Sequence, residues 1–115
     1  MVKKQEVRRP KRKSEWKLLY ADRAAEKGWV ELCATQLGPC RTLYDRLELD
    51  PTAVDNPDKQ HPLKGSLSAV IVNGQSFPQW QYELSNGARV WYAIDQANQA
   101  VHLTRCATTH PNETK

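Results

Sequence analysis

The pattern of apolar and polar positions changes character twice along the chain. Residues 15–21, EWKLLYA, set Trp16, Leu18 and Tyr20 two apart, the spacing of a short β-strand. From Asp22, a natural helix N-cap, Ala25, Trp29, Leu32, Cys33 and Gln36 recur at helical spacing as far as Leu37. Gly38 reads as the end of that helix and Pro39 as the first turn of another, with Cys40, Leu43, Tyr44 and Leu47 as its apolar stripe. Residues 50–62, DPTAVDNPDKQHP, carry three prolines among Asp50, Asp55, Asn56 and Asp58, the composition of a loop. The period then becomes two. SLSAVIV leads into Asn73-Gly74, the strongest two-residue hairpin signal, and QSFPQWQYEL returns, with Pro78 marking a bulge or an edge position. SNG turns the chain into ARVWYAID, QANQ turns it again, and AVHLTRCA completes four strands; TTHPNETK cannot continue a central strand past Pro111.

The order β-α-α-β-β-β-β predicts an α+β domain. Four sequential strands with short turns form an antiparallel meander whose apolar face needs a cover, and the helical hairpin is the element available to cover it.

Length and composition narrow the function. A chain of 115 residues is one domain with a modest core. It has no apolar run near 18 residues, and its N-terminus lacks the apolar stretch of a signal peptide, so a cytoplasmic, non-membrane protein is expected. Cys33, Cys40 and Cys106 are an odd set without CxxC spacing, and they read as small buried hydrophobes rather than as a metal site or disulfide framework. The net charge of +4 is unevenly placed. Residues 1–13 hold seven Lys/Arg and one Glu, whereas the remaining 102 residues hold ten Lys/Arg and twelve Asp/Glu. The basicity belongs to an arm, residues 1–13, expected to be disordered when free and followed by one domain, 14–115. Such an arm suits phosphate backbones, where each neutralised phosphate releases counterions, and equally a solubilising tail.

HPLKG before the second long strand, YELSNGARVWYAID across a hairpin, and VHLTRCATTHP at the end give this order a specific cast. Over residues 15–112 the chain resembles the RelE/ParE superfamily of bacterial toxins, most nearly its RelE, YoeB and HigB branch. The resemblance implies a RelE-like fold and a toxin of a type II toxin–antitoxin system that cleaves messenger RNA on the ribosome. It implies chemistry without metal or cofactor: the RNA 2′-hydroxyl attacks the adjacent phosphate, leaving a 2′,3′-cyclic phosphate and a 5′-hydroxyl. Such a reaction needs a base near the 2′-hydroxyl, an acid near the leaving oxygen and cations near the phosphorane. The implied partners are a cognate antitoxin, the ribosome and its mRNA.

Carried over by position, the resemblance makes Arg89 the phosphate-holding arginine, a role suited to a permanently charged fork. A solvated arginine after a Gly turn is the plainer reading. His110 stands where YoeB-like and HigB-like toxins carry a terminal histidine, able to protonate the leaving oxygen near neutral pH; otherwise it is a tail imidazole. His61 stands where YoeB-like toxins use a glutamate as general base. Imidazole can serve the same purpose, although a loop histidine beside proline is commonly surface decoration. Lys64 is placed for the RNA backbone or the transition state, or is a solvated lysine. Glu83 either orients His61 or Arg89 or forms the outward face of its strand. Trp91 shares the Arg89 face and is either a base-stacking aromatic or core. Arg105 follows Val101 and Leu103 in alternation, and either meets phosphate or lays its stem along the sheet edge. Two other functions fit the same fold: a ParE-like gyrase-binding toxin, and a non-catalytic module that binds only an antitoxin.

Overall fold

Asp22 starts the first helix as its composition predicts. Its carboxylate accepts from Ala25 N at 2.9 Å, capping α1 (Arg23–Thr35). The helix buries Ala25, Gly28 and Leu32, which recur on one face. The structure is a computed structural model and describes residues 15–108. The arm 1–13 and His110 lie outside those residues.

The helical boundary falls earlier than Gly38. Gln36 leaves the helical region at φ −136°, ψ 54°, closing α1 and opening α2 (Leu37–Leu49). Gly38 and Pro39 both lie in the first turn of α2, where a missing N–H has no intrahelical partner to lose. Gln36 breaks the helix to some purpose. Its side chain donates to Ser85 O and accepts from Ser85 N, both at 3.1 Å, pinning the helical corner to a strand turn 49 residues away. α2 buries Cys40, Leu43 and Leu47, while Tyr44 remains 39% exposed at the rim.

The strands are β1 (Lys17–Tyr20), β2 (Gln60–Pro62), β3 (Ala69–Val72), β4 (Gln75–Glu83), β5 (Arg89–Asp95) and β6 (Ala100–Ala107). The last four form the predicted antiparallel meander. β1 adds to the far side of β6 in parallel, with Leu18 opposite Val101. One face of this α+β sheet carries Val90, Tyr92, Ile94, Val101 and Leu103 into a core shared with Leu32, Leu43 and Leu47 of the helices. Trp80 stacks on Tyr92 inside it, ring centroids 6.4 Å apart. The architecture is consistent with a RelE-like fold.

Two departures from simple strands shape the other face. The first is the short strand β2, which the proline-rich loop reading passes over. β2 and β3 run along the same edge of β4, Pro62 opposite Trp80 and Ala69 opposite Pro78. Six residues, 63–68, therefore stand against Gln79 alone. Gln79 accounts for them: its carbonyl accepts from Leu63 N at 2.9 Å, its N–H donates to Ser68 O at 2.9 Å, and its amide donates to Leu67 O at 2.9 Å. Since Gln79 spends its backbone groups on this edge, Pro78 would direct its missing N–H towards β5. The β4–β5 pairing stops at Gln79 and Ala93, so that N–H has no ladder to serve. The second departure is a β-bulge in β6. Trp91 opposes Arg105 and Tyr92 opposes Leu103, leaving Thr104 over.

The loop between α2 and β2 is held from beneath. Tyr92 donates its hydroxyl to Pro51 O at 3.0 Å and accepts from Gln60 Nε2 at 2.9 Å, all three groups being buried. Arg46 joins the loop from α2, meeting Asp55 at 2.7 Å and Ala53 O at 3.1 Å. No helix among the described residues is long and apolar enough to cross a membrane.

Candidate functional site

Strict alternation along β5 sends Arg89, Trp91, Ala93 and Asp95 away from the helices, as their sequence positions predict. Pairing then builds two transverse rows on that open face. One row runs His61, Gln81, Trp91, Arg105 across β2, β4, β5 and β6. The other sets Glu83 opposite Arg89 and Arg89 opposite Ala107. Glu83 takes the following backbone bond too, donating its N–H to Lys59 O at 2.7 Å.

Arg105 reaches its row only through the bulge. Counting by twos from Val101 and Leu103 puts Arg105 on the core face. The extra residue Thr104 reverses that, sending Arg105 to the Trp91 side and Cys106 to the core. The guanidinium carbon of Arg105 lies over the Trp91 ring, 5.4 Å from its centroid. Trp91 is 4% exposed and donates its indole N–H to Gln81 Oε1 at 2.9 Å. A base could stack on Trp91 only by displacing Arg105, so in this arrangement the indole supports its neighbours. Thr104 closes the row's flank, donating to Gln79 Oε1 at 2.6 Å.

The Glu83–Arg89 pair is the charged centre of this face. Nη1 of Arg89 lies 2.8 Å from Glu83 Oε2, with the arginine side chain 11% exposed and the glutamate 33%. The carboxylate is within ion-pair distance yet off the N–H direction. Nε and Nη1 of Arg89 are buried and have no hydrogen bond among the described residues. A guanidinium held this way, charged and turned to a carboxylate, would take a phosphate oxygen by exchanging it for Glu83.

His61 is half-buried. Its Nδ1 lies 3.0 Å from Pro62 O. A carbonyl only accepts, so this contact places the hydrogen on Nδ1 and leaves the Nε2 lone pair of a neutral ring free. Strand spacing and residue rise put the Cα atoms of His61 and Arg89 about 12 Å apart on one face, within joint reach of a phosphate group. Lys64 is exposed in the 63–68 excursion, just ahead of a 3₁₀ turn over Gly65–Leu67. The structure thus brings His61, Glu83, Arg89, Trp91 and Arg105 to one face and sets Lys64 on its edge loop.

Gln81 and Lys59 are the members of this neighbourhood that residue-type reasoning passes over. Gln81 stands between His61 and Trp91, and the alternation Gln79, Gln81, Glu83 between apolar partners was its signal. The cysteines belong to the other layer. All three are free, and Cys40 is 1% exposed. Burial pushes the thiols of Cys40 and Cys106 up to about 12. Among the described residues no three metal-ligating side chains converge. No protein-family model matches the chain, and no curated protein matches it in sequence.

Proposed function

We propose that the chain is an endoribonuclease toxin of a toxin–antitoxin pair that cleaves messenger RNA on the ribosome by 2′-hydroxyl attack. The observation that carries this reading is Arg89: a guanidinium on the open sheet face, paired to Glu83 and sharing that face with His61 and Arg105. In the reaction, the guanidinium exchanges Glu83 for the scissile phosphate and meets the charge of the phosphorane. His61 takes the 2′-hydroxyl proton through Nε2. His110, outside the described residues, supplies the proton to the leaving 5′-oxygen. Lys64 and Arg105 contribute positive charge along the RNA backbone, and an antitoxin silences the protein by covering this face. The resemblance to RelE-type toxins supplies the reaction type; the residues on the face supply groups able to perform it.

The test is induced expression of wild type, Arg89→Ala and His110→Ala, reading growth and RNA 5′ ends. Wild type slows growth and cuts messages, and both variants are silent. A wild type that does neither refutes the nuclease. Full toxicity of both variants refutes the site. Arrested replication with intact messages would place the protein with gyrase-binding toxins instead.

A further inference from the structure

The open face carries a second feature, at the end remote from Arg89. Where β4 parts from β5 after Gln79, the β3–β4 hairpin turns over the face, and a cleft of about 300 Å³ opens beneath its tip. The Asn73-Gly74 turn makes that tip, both residues at positive φ (52° and 80°). Ala100 and His102 of β6 form the floor, Phe77 and Leu19 stand at the sides, and Lys17 and Asn98 line the rim.

His102 gives the cleft its meaning. It is 8% exposed, stacked on Phe77 with centroids 5.5 Å apart, and lines the cleft. The imidazole is thus within reach of whatever occupies the cavity. Asp95 lies diagonally across the β5–β6 pair on the same face. Its carboxylate is held by Asn98, which donates its backbone N–H at 3.1 Å and its amide at 2.9 Å. Lys17, paired with Ala100, sets an exposed ammonium on the opposite side.

The lining selects among ligands. A bare anion would meet the fixed charge of Asp95 and leave the amides and apolar walls unused. A hydrocarbon would strand His102 and Lys17. A nucleotide unit answers all of them: phosphate for Lys17, the hydrogen-bonding edge of a base for His102 and Asn98, and its flat face for Leu19. The volume suits one such unit.

We propose that this cleft binds a single nucleotide of RNA, on the same strand as the nucleotide that is cut but distinct from it. Six residues along β5 separate Arg89 from Asp95, about 20 Å on one face, so a strand held at Arg89 and running along the sheet reaches the cleft a few nucleotides away. The proposal rests on the RNA-cleaving reading for the source of the nucleotide.

The test uses the full chain, labelled with ¹⁵N, and two probes followed by amide shifts. One is a 2′-O-methylated hexanucleotide, which lacks the attacking hydroxyl. The other is each nucleoside 5′-monophosphate alone. The hexanucleotide is expected to shift Leu19, Asn98, Ala100 and His102 together with residues around Arg89. Lys17→Ala, at an exposed position, is expected to weaken the cleft response about tenfold, as loss of one charge-assisted contact would. Asn98→Ala should weaken it as well. Shifts of the cleft by the monophosphates add free nucleotide as a ligand; shifts by the hexanucleotide alone assign the site to the strand. Unmoved cleft residues beside a responding Arg89 end overturn the cleft and leave the nuclease standing. A responding cleft in a chain that cuts no message on ribosomes leaves the cleft and removes the nuclease. No response to either probe, or equal affinity in both variants, overturns the proposal.

Discussion

Gly28→Ala is a substitution for which helix propensity and tertiary packing give opposite signs. Within a helix, alanine is favoured over glycine by about 0.8–1.0 kcal/mol, so local reasoning expects stabilisation. The structure places a Cβ at Gly28 only 2.1 Å from the carbonyl oxygen of Cys106, and 3.0 Å from both its carbonyl carbon and Cβ. The obstacle is backbone of β6, which cannot rotate aside. α1 must therefore lift by roughly 1 Å, and a gap of that size forfeits a quarter to half of the dispersion well for the atoms it separates. Ala25 and Leu32, 1% and 0% exposed, are the residues that lose it. Overpacking of this kind costs about 1–3 kcal/mol. With the upper half of that range and the propensity gain set against it, the net loss is about 1–2 kcal/mol. For a domain of this size that lowers Tm by roughly 4–16 °C. Urea titration followed by tryptophan fluorescence, with Trp29 next to the substitution, measures it. Gly38→Ala is the control, since a Cβ there meets nothing within 4 Å and should be neutral or mildly stabilising. Equal or greater stability of Gly28→Ala would refute the close approach of α1 to β6.

Three other substitutions probe the support of the open face. Tyr92→Phe removes the hydroxyl between Gln60 and Pro51 and strands a buried Gln60 N–H, a loss of about 1–3 kcal/mol by thermal melting; an unchanged Tm would show that the loop is held otherwise. Asn98→Ala tests Asp95, whose carboxyl is held below its usual range first by the Asn98 side-chain N–H, with the nearby His102 contributing. A depressed carboxylate stabilises the fold above its unfolded value near 4, and that contribution disappears as pH falls through the lower folded value. The Tm gap between wild type and Asn98→Ala should accordingly be widest near pH 7 and shrink below about pH 4; a gap independent of pH contradicts this. Glu83→Gln leaves the unfolding free energy within about 1 kcal/mol of wild type, because the carboxylate is one-third exposed. It should tighten RNA binding and slow cleavage, as a competitor for Arg89 that also aims it is removed; unchanged binding and rate would detach Glu83 from the site.

The open face was legible in the sequence where alternation holds. Arg89 and Trp91 could be assigned opposite to Val90 and Tyr92 by parity alone, and the Asn73-Gly74 turn by composition. Parity failed at Arg105 because a bulge adds one residue without any marker residue of its own. The apolar spacing did carry a trace: Val101, Leu103 and Cys106 step by two and then by three. β2 went unread because three residues between prolines have no measurable period. It exists by pairing with β4, and its position is set by Gln60 and Tyr92, 32 residues apart. The Glu83–Arg89 pair needed the turn length between them, which a 3₁₀ turn over Ser85–Gly87 fixes. The boundary at Gln36 lay beyond local reasoning, since its reason is Ser85.

The central claim is that Arg89 holds the phosphate at which RNA is cut. Purified full-length chain, incubated with ribosomes programmed with a defined message, tests it through the ends of the products. Wild type should yield 3′ fragments with a 5′-hydroxyl and 5′ fragments ending in a 2′,3′-cyclic phosphate. Arg89→Lys, which keeps the charge and loses the fork, should cut at least about tenfold more slowly. Cleavage by Arg89→Lys and Arg89→Ala at the wild-type rate, or products bearing a 5′-phosphate, would contradict it.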